Sequence, residues 1–110
     1  MEIDRRNEMM RHFPKLLARW KGMSARLWEL TSSHPTLRIT LYNHDRDGSL
    51  EVICISPKRI ESPLRWDDSD IQIEKAVNEG FNVLDKKSGV LISECGVEVK
   101  EFDKRPYERR

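Results

Sequence analysis

The chain has 110 residues, of which 37% are hydrophobic and 35% charged, with 20 Lys and Arg against 19 Asp and Glu. That length holds one compact domain with a real core and excludes two, and the apolar clusters are too dense for a disordered chain. The near balance of charge excludes a global field that would draw the molecule toward nucleic acid or membranes.

The two cysteines, Cys54 and Cys95, are too few and too far apart for a disulfide framework, and both are expected as buried free thiols. The segment "MEIDRRNEMMRHF" has no apolar signal region, and no run approaches the roughly 18 apolar residues of a membrane span, so a cytoplasmic location is expected. Charge is unevenly distributed. Residues 11 to 28 carry Arg11, Lys15, Arg19, Lys21 and Arg26 with no acid, whereas residues 67 to 103 carry ten acids against four lysines. Residues 1–103 are expected to form the globular domain and 104–110 a charged tail.

The first third has helical periodicity. At 100° per residue, Phe13, Leu16, Leu17, Trp20, Met23, Leu27, Trp28 and Leu30 fall in one arc of roughly 160°, with Arg11, Lys15, Arg19 and Arg26 in a separate arc of about 80°. An amphipathic helix follows, ending at "TSSHP", where a proline disfavours the α region at His34. Pro14 is either its first residue or an interior proline of a helix that starts near Asp4.

Beyond Pro35 the period becomes two. "LRITLYN" and "LEVICIS" are read as strands joined by "HDRDG", with Leu37, Ile39, Leu41, Val52 and Cys54 on the core side. A type I′ turn at Asp47-Gly48 predicts pairs whose numbers sum to 95: Leu41 with Cys54, Tyr42 with Ile53, Asn43 with Val52, Thr40 with Ile55 and His44 with Glu51. Pro57 and Pro63 imply an irregular connection. Ile71 and Ile73 mark a further strand, "FNVLDKKSGVLIS" a second hairpin turning at 86–89, and Leu91, Ser93, Cys95, Val97 and Val99 one face of a long strand, whole or bulged at Gly96. The expected class is α+β, an N-terminal amphipathic helix packed on one face of a mostly antiparallel sheet of about five strands.

No motif assigns chemistry. "NHDRDGSLE" places Asn43, Asp45 and Asp47 at the first three ligand positions of a calcium loop, but Cys54 falls where a bidentate glutamate is required and the flanks are strands. The stretch is therefore read as a turn. His12, His34 and His44 lie in different elements with no metal or triad spacing, and Cys54 is expected in the core, where its thiol is inert. No catalytic residue, metal ligand or cofactor is assigned.

The leading expectation is a non-enzymatic protein-interaction or self-associating module, contacting a protein partner or another copy through Tyr42, Ile53 and Ile55 on the outer sheet face. A segment carrying Ile60, Leu64 and Trp66 would cover that face in the alternative arrangement. The competing class is a module for an anionic partner, nucleic acid or a membrane surface, using Arg11, Lys15, Arg19 and Arg26 with Lys104, Arg105, Arg109 and Arg110; nucleic acid is the less favoured partner. An enzyme whose site is assembled only by folding is the third.

Overall fold

The computed structural model describes residues 4–28 and 35–103. The expected helix end from Leu30 to His34 and the basic tail residues Lys104, Arg105, Arg109 and Arg110 lie outside the described residues.

Helix α1 spans Arg6–Arg19 and runs through Pro14, which is therefore an interior residue and not the first of the helix. Asp4 starts it. Its Oδ1 accepts the Arg6 backbone N–H at 3.0 Å, and its carboxylate also binds the Arg6 guanidinium, whose Nη1 donates to the carbonyls of Ala76 and Gly80 at 3.0 Å each. These bonds satisfy one of the free amides of the first turn and tie the helix start to a distant loop.

The helix stops eleven residues before Leu30. After Trp20 the chain turns, the Gly22 N–H donates to the Ser69 carbonyl at 2.7 Å, and Ser24–Trp28 forms strand β1. The reason is that "SARLW" satisfies two periods. Leu27 continues the helical spacing from Trp20 and Met23, yet Ala25 and Leu27 also alternate with Ser24, Arg26 and Trp28. Pairing of β1 with strands on both sides decides the choice, because it satisfies the backbone and buries Ala25.

The remaining strands are β2 (Thr36–Asn43), β3 (Arg46–Ile55), β4 (Arg59–Glu61), β5 (Arg65–Trp66), β6 (Gln72–Lys75), β7 (Phe81–Asp85) and β8 (Val90–Phe102). All pairings are antiparallel, in the order β5-β1-β2-β3-β8-β7-β6, with β4 added beside β8. The architecture is α+β as expected, but the sheet has eight strands instead of about five. The five foreseen are β2, β3, β6, β7 and β8; β1 replaces helix, while β4 and β5 occupy the stretch assigned to an irregular connection.

The β2–β3 register also differs. Leu37 faces Cys54, Ile39 faces Val52 and Leu41 faces Leu50, so paired numbers sum to 91, with the turn at His44-Asp45 and a bulge between Leu41 and Asn43. Asn43 Oδ1 accepts the Asp45 N–H at 2.9 Å and closes the turn. A shift of four in the sum preserves parity, so Leu37, Ile39, Leu41, Val52 and Cys54 still face the core.

Strand β8 reverses parity midway. Val90 and Ile92 are buried, then Cys95 and Val97, because an extra residue near Glu94 (φ 50°) interrupts the β7–β8 register between Val83↔Ile92 and Phe81↔Cys95. The bulge lies just before Gly96, and the inward set begins Val90, Ile92 instead of Leu91, Ser93.

Trp66 Nε1 and the Asp70 N–H both donate to Asp85 Oδ2 at 2.9 Å, linking β5 at one margin of the sheet to β7 near the other. The sheet thus curls around a core of Phe13, Leu17, Trp20, Ile39, Leu50, Val83 and Ile92. Phe13 meets Phe81 edge to face at 5.5 Å and seats α1 on the concave side.

Candidate interaction surface

The strand registers fix which side chains share the convex face. On β1 these are Ser24, Arg26 and Trp28; on β2 Thr36, Arg38, Thr40 and Tyr42; on β3 Glu51, Ile53 and Ile55; on β8 Glu98 and Lys100. Reading across the strands, one row is Arg65, Arg26, Thr40, Glu51 and Lys100, and the next is Trp28, Arg38, Ile53 and Glu98.

Tyr42, Ile53 and Ile55 share this face but do not form one cluster. Ile55 lies opposite Thr36, and Tyr42 lies opposite Ser24, so they are six positions apart along β2, about 20 Å at the rise of a strand. The register that would have set Tyr42 beside Ile53 is not the one formed. Tyr42 packs edge to face with His44 at 6.1 Å, Ile53 is buried, and Ile55 is 37% exposed.

Four of the face's side chains are tied down in pairs. Trp28 Nε1 donates to Thr40 Oγ1 at 2.6 Å, and Arg38 pairs with the buried Glu51 carboxylate at 3.0 Å. A buried carboxylate needs such a partner, since desolvating an isolated charge costs several kcal/mol.

Residues 57–66 do not fold over this face. Arg59–Glu61 pairs with Ser93, Ile92 and Leu91 of β8, and Arg65 and Trp66 pair with Arg26 and Ala25 of β1. Trp66 turns inward against the core, while Ile60 and Leu64 remain 42% and 73% exposed. The segment therefore extends the sheet at two margins and adds apolar surface of its own. Its signal was the pair of short alternations "RIE" and "RW" between prolines, each too brief to stand out as a strand.

The basic residues expected on one helix face are divided. Arg11 and Lys15 are exposed on α1, Arg19 pairs with Glu101 at 3.3 Å, and Arg26 lies on β1 instead. Next to Arg19, Trp20 is 2% exposed, donates Nε1 to Glu101 Oε2 at 2.8 Å, and carries the Arg46 guanidinium 3.8 Å above its ring centroid.

Two surface hollows open among the described residues. One of about 330 Å³ between α1 and β6 is lined by apolar residues with Lys21, Asp70 and Gln72, and another of about 420 Å³ is lined by Trp20, Arg46, Asp47, Glu101, Phe102 and Asp103. Neither lining includes a histidine or cysteine. Cys54 and Cys95 are both buried; the contact with Cys95 and burial push the Cys54 thiol up, and the same contact lowers Cys95. Among the described residues no three His, Cys, Asp or Glu side chains are grouped to hold a metal ion, and no helix is long and apolar enough to cross a membrane.

No family model, curated protein or solved structure matches this chain.

Proposed function

We propose that this domain is a non-enzymatic protein-interaction module that associates with further copies of itself, using the apolar surface strung along Ile55, Ile60 and Leu64. The observation that carries the reading is the placement of these residues. Among the described residues they are three of the five exposed large hydrophobic residues, the others being Met9 and Val77, and they fall within ten residues of sequence. Exposed apolar side chains scattered singly need no explanation, whereas a concentrated set marks a contact surface.

The strands beneath them support it. Among the described residues, strands β4 and β5 each pair on one side, with β8 and β1 respectively, so the opposite edge of each presents backbone donors and acceptors. Pro57, Lys58 and Pro63 flank them and Arg59 opens β4, and proline and cationic residues on an edge discourage indiscriminate strand pairing. Contact through side chains on a guarded edge is selective where bare strand addition is not. Ile55 leads into the same surface and lies over Gly96, whose missing side chain leaves it room.

Light scattering across a concentration series tests the proposal. The unaltered chain should show a mass rising with concentration, and Ile60→Lys with Leu64→Lys should return it to the monomer. Both positions are exposed, so the double variant should melt within a few degrees of the parent, as surface changes ordinarily do. A parent chain that stays monomeric throughout would overturn the reading.

A further inference from the structure

The charge pairing on the sheet has one exception. On the strands, Arg38 pairs with Glu51, Arg59 with Glu61, Lys75 with Asp4 and Lys100 with Glu98, and Arg46 lies over the Trp20 ring. Only Arg26 and Arg65 have neither a carboxylate nor an aromatic partner among the described residues. They are directly opposite each other in the β1–β5 register, on the convex face, and both are exposed. Like charges set directly across a strand pair oppose folding, so the arrangement is one that an anion would relieve.

Neither nearby carboxylate forms an ion pair with them: Asp67, two residues beyond Arg65, keeps its charge but is held by a hydrogen bond from Ser24 Oγ at 2.8 Å, and Glu51 in the same row is buried against Arg38. Trp28 follows Arg26 by two positions on the same strand face. It is half-buried, and its bond to Thr40 fixes the indole on the sheet surface.

We infer that this corner binds single-stranded nucleic acid, with a backbone phosphate held between Arg26 and Arg65 and a neighbouring base against Trp28. Guanidinium groups match phosphate oxygens in geometry, and directly paired residues have Cβ atoms about 5 Å apart, so both can reach one phosphate. The aromatic beside the pair favours a nucleotide over an anion without a ring, since bases stack on such side chains irrespective of sequence. A flexible single strand can bring phosphate and base to one small corner. A duplex needs a broad basic surface, which 20 basic against 19 acidic residues do not supply. This site is separate from the apolar surface at Ile55, Ile60 and Leu64, and its test is independent of self-association.

The test is fluorescence anisotropy of a labelled short oligothymidine at low salt. Binding should weaken with salt at a slope of about −0.7 to −1.4 in log K against log concentration, for one or two neutralised phosphates. Arg26→Glu with Arg65→Glu should abolish it, Arg65→Gln alone should weaken it, and Arg11→Glu with Lys15→Glu on the helix should leave it unchanged. Melting curves of each variant establish that it is folded. Absence of binding at low salt, binding indifferent to the Arg26 and Arg65 changes, or equal loss with the helix pair would each overturn the inference. So would displacement of the oligonucleotide by inorganic phosphate at matched phosphate concentration, or equal binding to phosphatidylserine vesicles, because either would show attraction to charge without use of the base.

Discussion

Gly48→Ala against Gly89→Ala separates the formed β2–β3 hairpin from the one with its turn at Asp47-Gly48. Both glycines have positive φ, 88° and 74°, and an L-residue in the left-handed region costs about 1–2 kcal/mol at either. Their surroundings differ. A Cβ on Gly89 would meet nothing within 4 Å, whereas a Cβ on Gly48 would collide with the Phe102 carbonyl oxygen and lie 3.5 Å from the Asp103 Cα. The obstacle is backbone, which cannot rotate aside, so β3 and β8 must move apart near the Ser49↔Phe102 pair at a cost of roughly 1–3 kcal/mol, as for an overpacked core. Gly48→Ala should therefore destabilise by about 2–5 kcal/mol and Gly89→Ala by about 1–2. Urea unfolding with unchanged slopes measures both. In a solvent-exposed two-residue turn, Gly48 would carry only the conformational cost, so equal losses at the two sites would refute the close packing of Gly48 against the Phe102 carbonyl.

At the end of α1, Trp20→Ala should cost about 3–5 kcal/mol, the range for emptying a large buried aromatic site, and Arg19→Ala less than about 0.5, since its ion pair with Glu101 is exposed. Comparable losses in chemical denaturation would contradict the assignment of the two faces. Acid stability provides a second check. The Arg6 guanidinium and backbone N–H hold the Asp4 carboxyl below its ordinary value, as Lys87 does for Asp68. A depressed folded value means that the stabilisation is present above the ordinary carboxylate range near about 4 and is lost as pH falls below it. Melting temperature should fall between about pH 5 and 2, and Asp4→Asn should make that fall shallower; identical profiles would show that the Asp4–Arg6 contact does not form.

The core was legible in the sequence wherever one period dominated. Leu37, Ile39 and Leu41 alternate strictly, as do Leu50, Val52 and Cys54, and a misplaced turn left them facing inward because the register moved by an even number. Ambiguity began where two periods fitted the same letters. Leu27 suits a helix from Trp20 as well as a strand with Ala25, and only β2 and β5, distant in sequence, decide between them. Gly22 follows the basic last turn and is a stop signal that the helical reading of the apolar spacing did not use. The strands of residues 59–66 were hidden for a different reason. They are three and two residues long and take their order from β8 and β1, not from local propensity. The surface inherited these errors. Tyr42 was grouped with Ile53 by the wrong register, and Arg26 was set on a helix face when it faces Arg65.

The bulge at Glu94 connects the fold to both proposed surfaces. Strand β8 is thirteen residues long, and without an interruption every second side chain from Leu91 onward would point to the same side as Cys95 and Val97. The bulge reverses that phase, so Ile92 is buried in the first half and Cys95 in the second, and the Glu94 N–H, displaced from the ladder, is satisfied by Asn82 Oδ1 at 3.0 Å. One strand can then pair with β4 and β7 along its first half and with β3 along its second. That change of partners ends β3 at Ile55 and sends the chain along β8 as β4 before it crosses to β1 as β5. The crossing leaves Ile60 and Leu64 on the margins and sets Arg65 opposite Arg26. The apolar margin and the arginine pair thus lie on segments that leave β8 at the bulge and end on β1, although none of their side chains belongs to β8.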